Sequence, residues 1–576
     1  MKKSIHFFDF LKEKIFKSGL FDDYCHSVAQ TQLDCFSLYQ TSESWEEKHF
    51  EYLKELNNIL GQTYKKLFGE ISHDEQLSSH KDRRFQDKDW ENNPLFFYLK
   101  ETYLLQSKYI ESIFKFVKDD DIQSKKNNFY LKILIDALSP TNFPFTNPEI
   151  IRETFKQNGK NLLKGYQNFL DDQQKGDGVI MPPLTDLNAF KVGENLATTS
   201  GKVIFQNKIL QLLEYLPKEE PFYETPLMLI PAWINKYYIF DLQPHNSFIK
   251  WNIDAGRPVY VISWVNPDAS YAKVPLKDYF LKGIDKAIDV VREVTSSSSV
   301  NAVGFCVGGV GLLTLLAYYQ SKKLYKIKSA TLLAAPTNFL EMGDLSLFVS
   351  EDQMSSLEKS IQKQGALAGS TMMQIFRALR ANELIWPNYI NSYFLGRNFA
   401  ALDFLFWNSD TTNLPAKMHL EYLKSFFIGN AFMHPKKYKL GGVGININEI
   451  LNPCFIVATQ KDHIVPWKAA FAAFQKLKNS EFVLGGSGHI AGIINPPVNN
   501  KYGYKTNSSA HTATPEEWMK GAIEHTGSWW NYWEQWISPF VGKKVLTAEK
   551  ITSSFLEKSP GSYALKVAPS LEKRSL

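Results

Sequence analysis

The stretch Gly304-Phe305-Cys306-Val307-Gly308-Gly309 constrains this chain more than any other, because a cysteine stands between glycines where the apolar run Val300 to Phe305 gives way to a helical pattern. A side chain at Gly304 or Gly308 would clash where a strand and the helix after it cross closely, so the glycines predict a sharp strand–turn–helix. The turn puts Cys306 in a strained backbone conformation with its sulfur at a helix N-terminus. There the unpaired backbone N–H groups and the positive end of the helix dipole favour thiolate over thiol. A buried cysteine in a glycine-rich loop is the other reading of the motif taken alone.

No charged residue occurs from Val300 to Tyr319, and a hydropathy window would count the stretch as a membrane span. Gly304, Gly308, Gly309 and Gly311 divide it instead into a short buried strand and a buried helix, Leu312 to Tyr319. No transmembrane span is expected. At 576 residues the chain exceeds one ordinary core, which predicts two domains with an inserted cap. A net charge of +5 over this length argues against a nucleic-acid partner and is compatible with an anionic cofactor or product. The four cysteines, Cys25, Cys35, Cys306 and Cys454, show neither metal spacing nor a disulfide framework, so no metal site is expected and a cytoplasmic location is. Asp9, Lys12 and Glu13 interrupt any export signal at the N-terminus, while Phe7, Leu11, Ile15 and Phe16 fall near one helical face.

Residues 1–200 read as a mainly helical N-terminal domain, with helical periodicity in Trp45 to Leu67, Pro94 to Val117 and Phe129 to Leu138. After Gly201 short apolar strands alternate with helical segments, the pattern of a mostly parallel sheet covered on both faces. The strands are expected at Val203 to Asn207, Leu227 to Ile230, Pro258 to Ser263, Val300 to Phe305, Ser329 to Ala335, Cys454 to Thr459 and Glu481 to Leu484. Helices are expected at Tyr279 to Val294, Val310 to Tyr319 and Lys468 to Leu477. Between about 336 and 447 the strand rhythm stops in an aromatic-rich stretch with Phe376, Leu379, Trp386, Tyr389, Tyr393, Phe404, Phe406 and Trp407. It reads as a cap inserted above the active-site edge of a catalytic domain spanning 201–540. Residues 541–576 read as a C-terminal tail of little periodicity.

A cysteine on such an elbow needs an acid after a later strand and a histidine after the last. Strand Cys454 to Thr459 runs into Asp462, and strand Glu481 to Leu484 runs into His489. The order nucleophile, acid, histidine is that of the α/β-hydrolase fold. His463 competes with His489 but shares the acid's own loop, and His245 lies in another loop. The backbone N–H of Val307 and one from the loop after Leu227 to Ile230, at Ala232 or Trp233, are the expected oxyanion donors. Sulfur shifts the chemistry toward acyl transfer. A cysteine exchanges one thioester for another at little free-energy cost, so an acyl group stays activated for delivery to an alcohol if an aromatic cap excludes water.

From about Asp82 to Tyr563 the chain resembles the class I polyhydroxyalkanoate synthases. The matching segments are Asp82-Arg83-Arg84-Phe85, Ser139-Pro140-Thr141-Asn142-Phe143, Pro231-Ala232-Trp233-Ile234-Asn235-Lys236-Tyr237-Tyr238 and Asp241-Leu242-Gln243-Pro244, then Ser263-Trp264-Val265-Asn266-Pro267-Asp268 and the elbow itself. Further on, Trp407-Asn408-Ser409-Asp410, Gly485-Gly486-Ser487-Gly488-His489-Ile490-Ala491-Gly492, Ile494-Asn495-Pro496-Pro497 and Gly527-Ser528-Trp529-Trp530 match as well. The resemblance implies polymerisation of (R)-3-hydroxyacyl-CoA with release of CoA, by a cytoplasmic homodimer bound to polyester storage granules. No cofactor is implied, because the coenzyme A thioester is the substrate. Cys306 would carry the acyl chain, His489 would take the thiol proton, and Asp462 would either assist His489 or activate the 3-hydroxyl. Trp407, Ile464 and Ala491 would line or neighbour the acyl pocket, with Ala491 favouring short-chain monomers such as 3-hydroxybutyryl-CoA. A cysteine α/β-hydrolase or depolymerase acting on esters or lactones is the alternative activity.

Overall fold

The computed structural model describes residues 43–69, 82–114, 122–175, 180–508, 511–546 and 551–568. Phe7, Leu11, Ile15, Phe16, Cys25 and Cys35 lie outside the described residues. The chain forms two compact units. One gathers the described residues up to Leu184 together with Ile375–Ala400, and the other comprises Thr185–Gln374 and the described residues from Ala401 onward.

The first unit is helical. Helices α1 (Glu43–Leu67) and α2 (Pro94–Phe114) pack together through Tyr52 and Tyr109, whose rings stack at 4.5 Å. Helix α3 (Ile122–Ala137) follows, and then α4 (Pro148–Lys156), where Asn147 accepts from the N–H groups of Glu149 and Ile150 and Pro148 takes a first-turn position that lacks an N–H partner in any case. Helix α5 (Lys160–Lys175) lies so close to the turn Ile390–Phe394 that a Cβ on Gly165 would stand 1.9 Å from the Tyr393 carbonyl oxygen. Asn161 and Asn168 donate to the carbonyls of Phe394 and Ser392 across this contact. The stretch 336–447, expected as one cap, is therefore divided. Phe376, Leu379, Trp386, Tyr389 and Tyr393 belong to the helical unit, where Tyr393 meets Phe169 of α5 at 5.6 Å, and Phe404, Phe406 and Trp407 belong to the other.

The second unit is built on an eleven-stranded mixed sheet. Its strands are β1 (Lys202–Gln206), β2 (Leu210–Tyr215), β3 (Leu227–Ile230), β4 (Val259–Trp264), β5 (Val300–Phe305), β6 (Ile327–Leu333), β7 (Cys454–Thr459), β8 (Ser480–Gly485), β9 (Tyr504–Thr506), β10 (Ile523–His525) and β11 (Glu557–Lys558). They lie in the order β10-β9-β8-β7-β6-β5-β3-β4-β2-β1-β11. From β4 to β8 neighbouring strands run parallel, and β2 is antiparallel to β4. The central strands β3, β4 and β5 are buried along their whole length, as strands covered by helices on both faces must be.

Helix α6 (Lys286–Val294), continuing a π-helical turn Tyr279–Asp285, α7 (Val307–Lys322), α8 (Trp467–Lys476) and α9 (Trp530–Ile537) cover this sheet. Leaving β3, the chain first adds β4 on one side and then β5 on the other. This reversal opens a crevice at the C-terminal ends of β3 and β5, where open α/β sheets hold their ligands. The α/β-hydrolase fold expected from the sequence is this sheet and its helices, preceded by the helical region. The uncharged run from Val300 divides into β5 and α7 as expected, and among the described residues no helix is long and apolar enough to cross a membrane.

Residues 541–546 and 551–568 are less detached than a tail of little periodicity suggests. Strand β11 pairs antiparallel with β1 and a helical turn follows at Ser562–Leu565.

Candidate active site

Cys306 stands between β5 and α7 with φ of 53° and ψ of −123°, a conformation that an L-residue holds only when its surroundings impose it. The surroundings are the crossing of strand and helix. A Cβ on Gly304 would lie 2.7 Å from the Cα of Gly309, and one on Gly308 would lie 2.1 Å from the Ile230 carbonyl oxygen. Only hydrogen at both positions lets α7 start so near β3 and β5. The N–H of Val307, first residue of α7, belongs to the helix start that has no intrahelical acceptor and so is available to an anion beside Cys306.

Asp462 and His489 come from the loops after β7 and β8. The Asp462 carboxylate is held from several sides: Oδ1 accepts from the N–H groups of Ile464 and Val465, each at 2.9 Å, and Oδ2 accepts from the Thr459 hydroxyl at 3.2 Å. The remaining bond is the one to His489, whose Nδ1 lies 2.6 Å from Oδ2. An ionised carboxylate only accepts, so Nδ1 carries the proton. The other nitrogen is left for Cys306, whose interaction with the ring also favours the charged imidazole. Burial by itself would push the imidazole down. The Asp462 carboxylate and Cys306 together outweigh it and raise His489 to about 10. The arrangement suits proton transfer from the thiol to the ring.

Among the competing histidines, His489 is the one bonded to Asp462, while His245 is exposed in a separate loop. Trp233, expected as an oxyanion donor, is buried in the loop after β3, its ring set against Trp264, Tyr279 and Tyr422. The Trp264 indole fixes the start of that loop by donating to the Pro231 carbonyl at 2.9 Å. Ile464 and Ala491 are half-buried, two residues beyond Asp462 and His489 respectively. Trp407 is tied to the same loop after β3, donating to the Lys236 carbonyl at 2.7 Å.

Two features had no sequence-derived role. Tyr422 is buried against the Trp233 ring at 6.0 Å; burial, and then the charge of Cys306, raise its hydroxyl well above the usual phenol range. Nothing in the local pattern of helix Ala416–Tyr422 marks it. Trp529 and Trp530 donate to the carbonyls of Gly492 and Ile493, at 2.9 and 3.0 Å, and so brace the loop that carries His489. The Gly527-Ser528-Trp529-Trp530 segment was their only signal.

Against known families, residues 81–252 match the model described as "Poly-beta-hydroxybutyrate polymerase (PhaC) N-terminus", and residues 225–496 match the alpha/beta hydrolase fold. The poly(3-hydroxyalkanoate) polymerase subunit PhaC of Rhizobium etli is 40% identical over 491 residues, covering 84% of this chain and 77% of that protein. Its namesake in Rhizobium meliloti is 38% identical over 538 residues, covering 92% and 88%. That of Cupriavidus necator is 37% identical over 491 residues, covering 84% and 82%. Identity of this extent, spanning the helical region and the hydrolase core alike, places the chain in the poly(3-hydroxyalkanoate) polymerase family of acyltransferases.

Proposed function

We propose that this protein polymerises (R)-3-hydroxyacyl-CoA, with 3-hydroxybutyryl-CoA as the preferred monomer, through a thioester on Cys306. The observation that carries the proposal is the 2.6 Å contact of His489 with Asp462, on a ring whose basicity the elbow cysteine also raises. His489 takes the proton of Cys306, and the sulfur attacks the thioester carbonyl. The oxyanion forms against the N–H groups of Val307 and Trp233. When the C–S bond to coenzyme A breaks, the proton passes to the departing thiolate, leaving acyl-Cys306 and free CoA. The 3-hydroxyl of a second unit then attacks that thioester, with its proton received by the His489–Asp462 pair. Each elongation makes one ester bond and releases one thiol.

Ala491 and Ile464, close to the triad in sequence and half-buried, support a pocket for a short acyl branch. Association as a homodimer on cytoplasmic polyester granules belongs to the same reading. It is supported by the apolar side chains of Phe50, Leu53, Leu60, Tyr64 and Leu67, exposed at helical spacing along α1. The helical region up to about residue 200 would then carry the dimer and granule contacts, and residues 201–540 the chemistry.

Purified protein given (R)-3-hydroxybutyryl-CoA tests the proposal by thiol release and recovery of the acyl product. CoA release with insoluble polyester is the expected result. CoA release with free hydroxybutyrate would replace it by the hydrolase reading.

A further inference from the structure

Lys236 is among the most buried cations of the catalytic unit, its side chain only 2% exposed, and it sits three residues beyond Trp233 in the oxyanion loop. A buried ammonium is costly unless its donors are satisfied. Here Nζ donates to the carbonyls of Ala564 at 2.9 Å and Lys566 at 2.5 Å, with the Tyr563 carbonyl at 3.4 Å, and it faces Asp410 Oδ1 at 3.9 Å. The carbonyls lie at the end of the Ser562–Leu565 turn, the place where a cation is most favourable. Asp410 in turn accepts from the Tyr238 hydroxyl at 2.8 Å, at the far end of the same loop.

Around this ammonium three distant segments meet. The oxyanion loop contributes Lys236 itself, whose carbonyl receives the Trp407 indole. The insertion contributes Asp410 and Thr411, the latter bridged to Asn235. The C-terminal segment contributes residues 563–566, and Asn266 at the end of β4 joins them by donating to the carbonyls of both Thr411 and Lys566. None of these atoms touches Cys306, yet together they determine where the backbone from Pro231 to Tyr238 lies.

We propose that Lys236 is a positioning residue for acyl transfer: by clamping the C-terminal segment and Asp410 to the oxyanion loop, it holds the Trp233 N–H where the oxyanion forms. This rests on the polymerase reading given above and adds the C-terminal segment to the catalytic apparatus. Loss of the clamp weakens transition-state stabilisation while leaving the thiol and its histidine intact.

The test uses the full-length chain with Lys236→Met, Lys236→Arg and Asp410→Asn. Steady-state CoA release from (R)-3-hydroxybutyryl-CoA reads the oxyanion hole, and alkylation of Cys306 by iodoacetamide reads the thiol and His489 without it. Lys236→Met is expected to lower kcat about thirtyfold, with KM and alkylation within about twofold of wild type, and Lys236→Arg to restore most of kcat. Wild-type kcat in a soluble Lys236→Met variant would overturn the assignment, as would alkylation that falls in step with kcat. Should Lys236→Met fail to fold, Asp410→Asn decides: a roughly tenfold lower kcat with normal alkylation supports the clamp, and an unchanged kcat overturns it. Wild-type protein that releases no CoA would overturn the polymerase reading, and the clamp with it.

Discussion

Cys306 and Cys454 are both buried thiols on one sheet, and they sit at opposite ends of its parallel strands. Cys454 opens β7, enclosed by neighbouring strands, with its sulfur directed to the Asn452 carbonyl at 3.3 Å. Burial pushes that thiol up to about 12, so it remains protonated and inert. Cys306 follows the C-terminal end of β5, where a helix begins, a histidine reaches in and the backbone is forced to positive φ. Two thiols of similar burial thus differ because parallel strands present the N-termini of their following helices at one end only. Reactivity belongs to the end of the sheet, and the cysteine is its occupant.

The comparison breaks most sharply at the thiols themselves. Cys306→Ala should lower CoA release by about a thousandfold or more and abolish acyl labelling, whereas Cys454→Ala should leave turnover within about twofold. Near-normal turnover in Cys306→Ala would remove the mechanism. His489→Gln comes next, with a loss of about 10²–10⁴ in acylation measured in a single turnover. Asp462→Asn should slow steady-state polymerisation by on the order of 10². If the carboxylate acts chiefly on the 3-hydroxyl, the single-turnover acylation of that variant remains fast, and if it chiefly orients His489, acylation falls in parallel.

A pH series sharpens the same contrast. His489 binds its proton more tightly in the folded chain, at about 10, than in the unfolded chain, at about 6.5. Its contribution to stability is therefore complete below about pH 6.5 and is lost as the pH rises through about 10. Urea midpoints of wild type and His489→Gln should draw together over that interval, and a constant gap would contradict the charged pair. The smallest effect is expected at the inert thiol, where Cys454→Ala should cost about 1–2 kcal/mol in urea unfolding through the small cavity it leaves.

Much of this was legible in the residues because the constraints are local. Gly304 and Gly308 announce a crossing that no side chain can enter, and Asp462 and His489 follow strands whose apolar runs are unmistakable. Strand β2 is hidden in the sequence because Gln211 and Glu214 interrupt its apolar pattern, although both are buried. Their partners come from far along the chain: Ser562 meets Gln211 at 2.9 Å, and Ser553 meets Glu214 at 2.8 Å. Strands β9, β10 and β11 are too short to show an alternating pattern. The division of the insertion was equally hidden, since an aromatic such as Tyr393 reads the same whether it faces a crevice or, as here, the helix that carries Phe169 and Asp172. Lys236 shows no local sign of its role either, because every group it satisfies is brought to it by the fold.

Intact-mass measurement followed by peptide mapping, after brief reaction with a 3-hydroxyacyl-CoA whose 3-hydroxyl is blocked against elongation, tests the central claim most directly. The account predicts one acyl group per chain, carried on the Cys306 peptide, labile to neutral hydroxylamine as a thioester and absent from Cys454. An acyl group on another residue, or free acid released with no adduct while CoA is turned over, would contradict it.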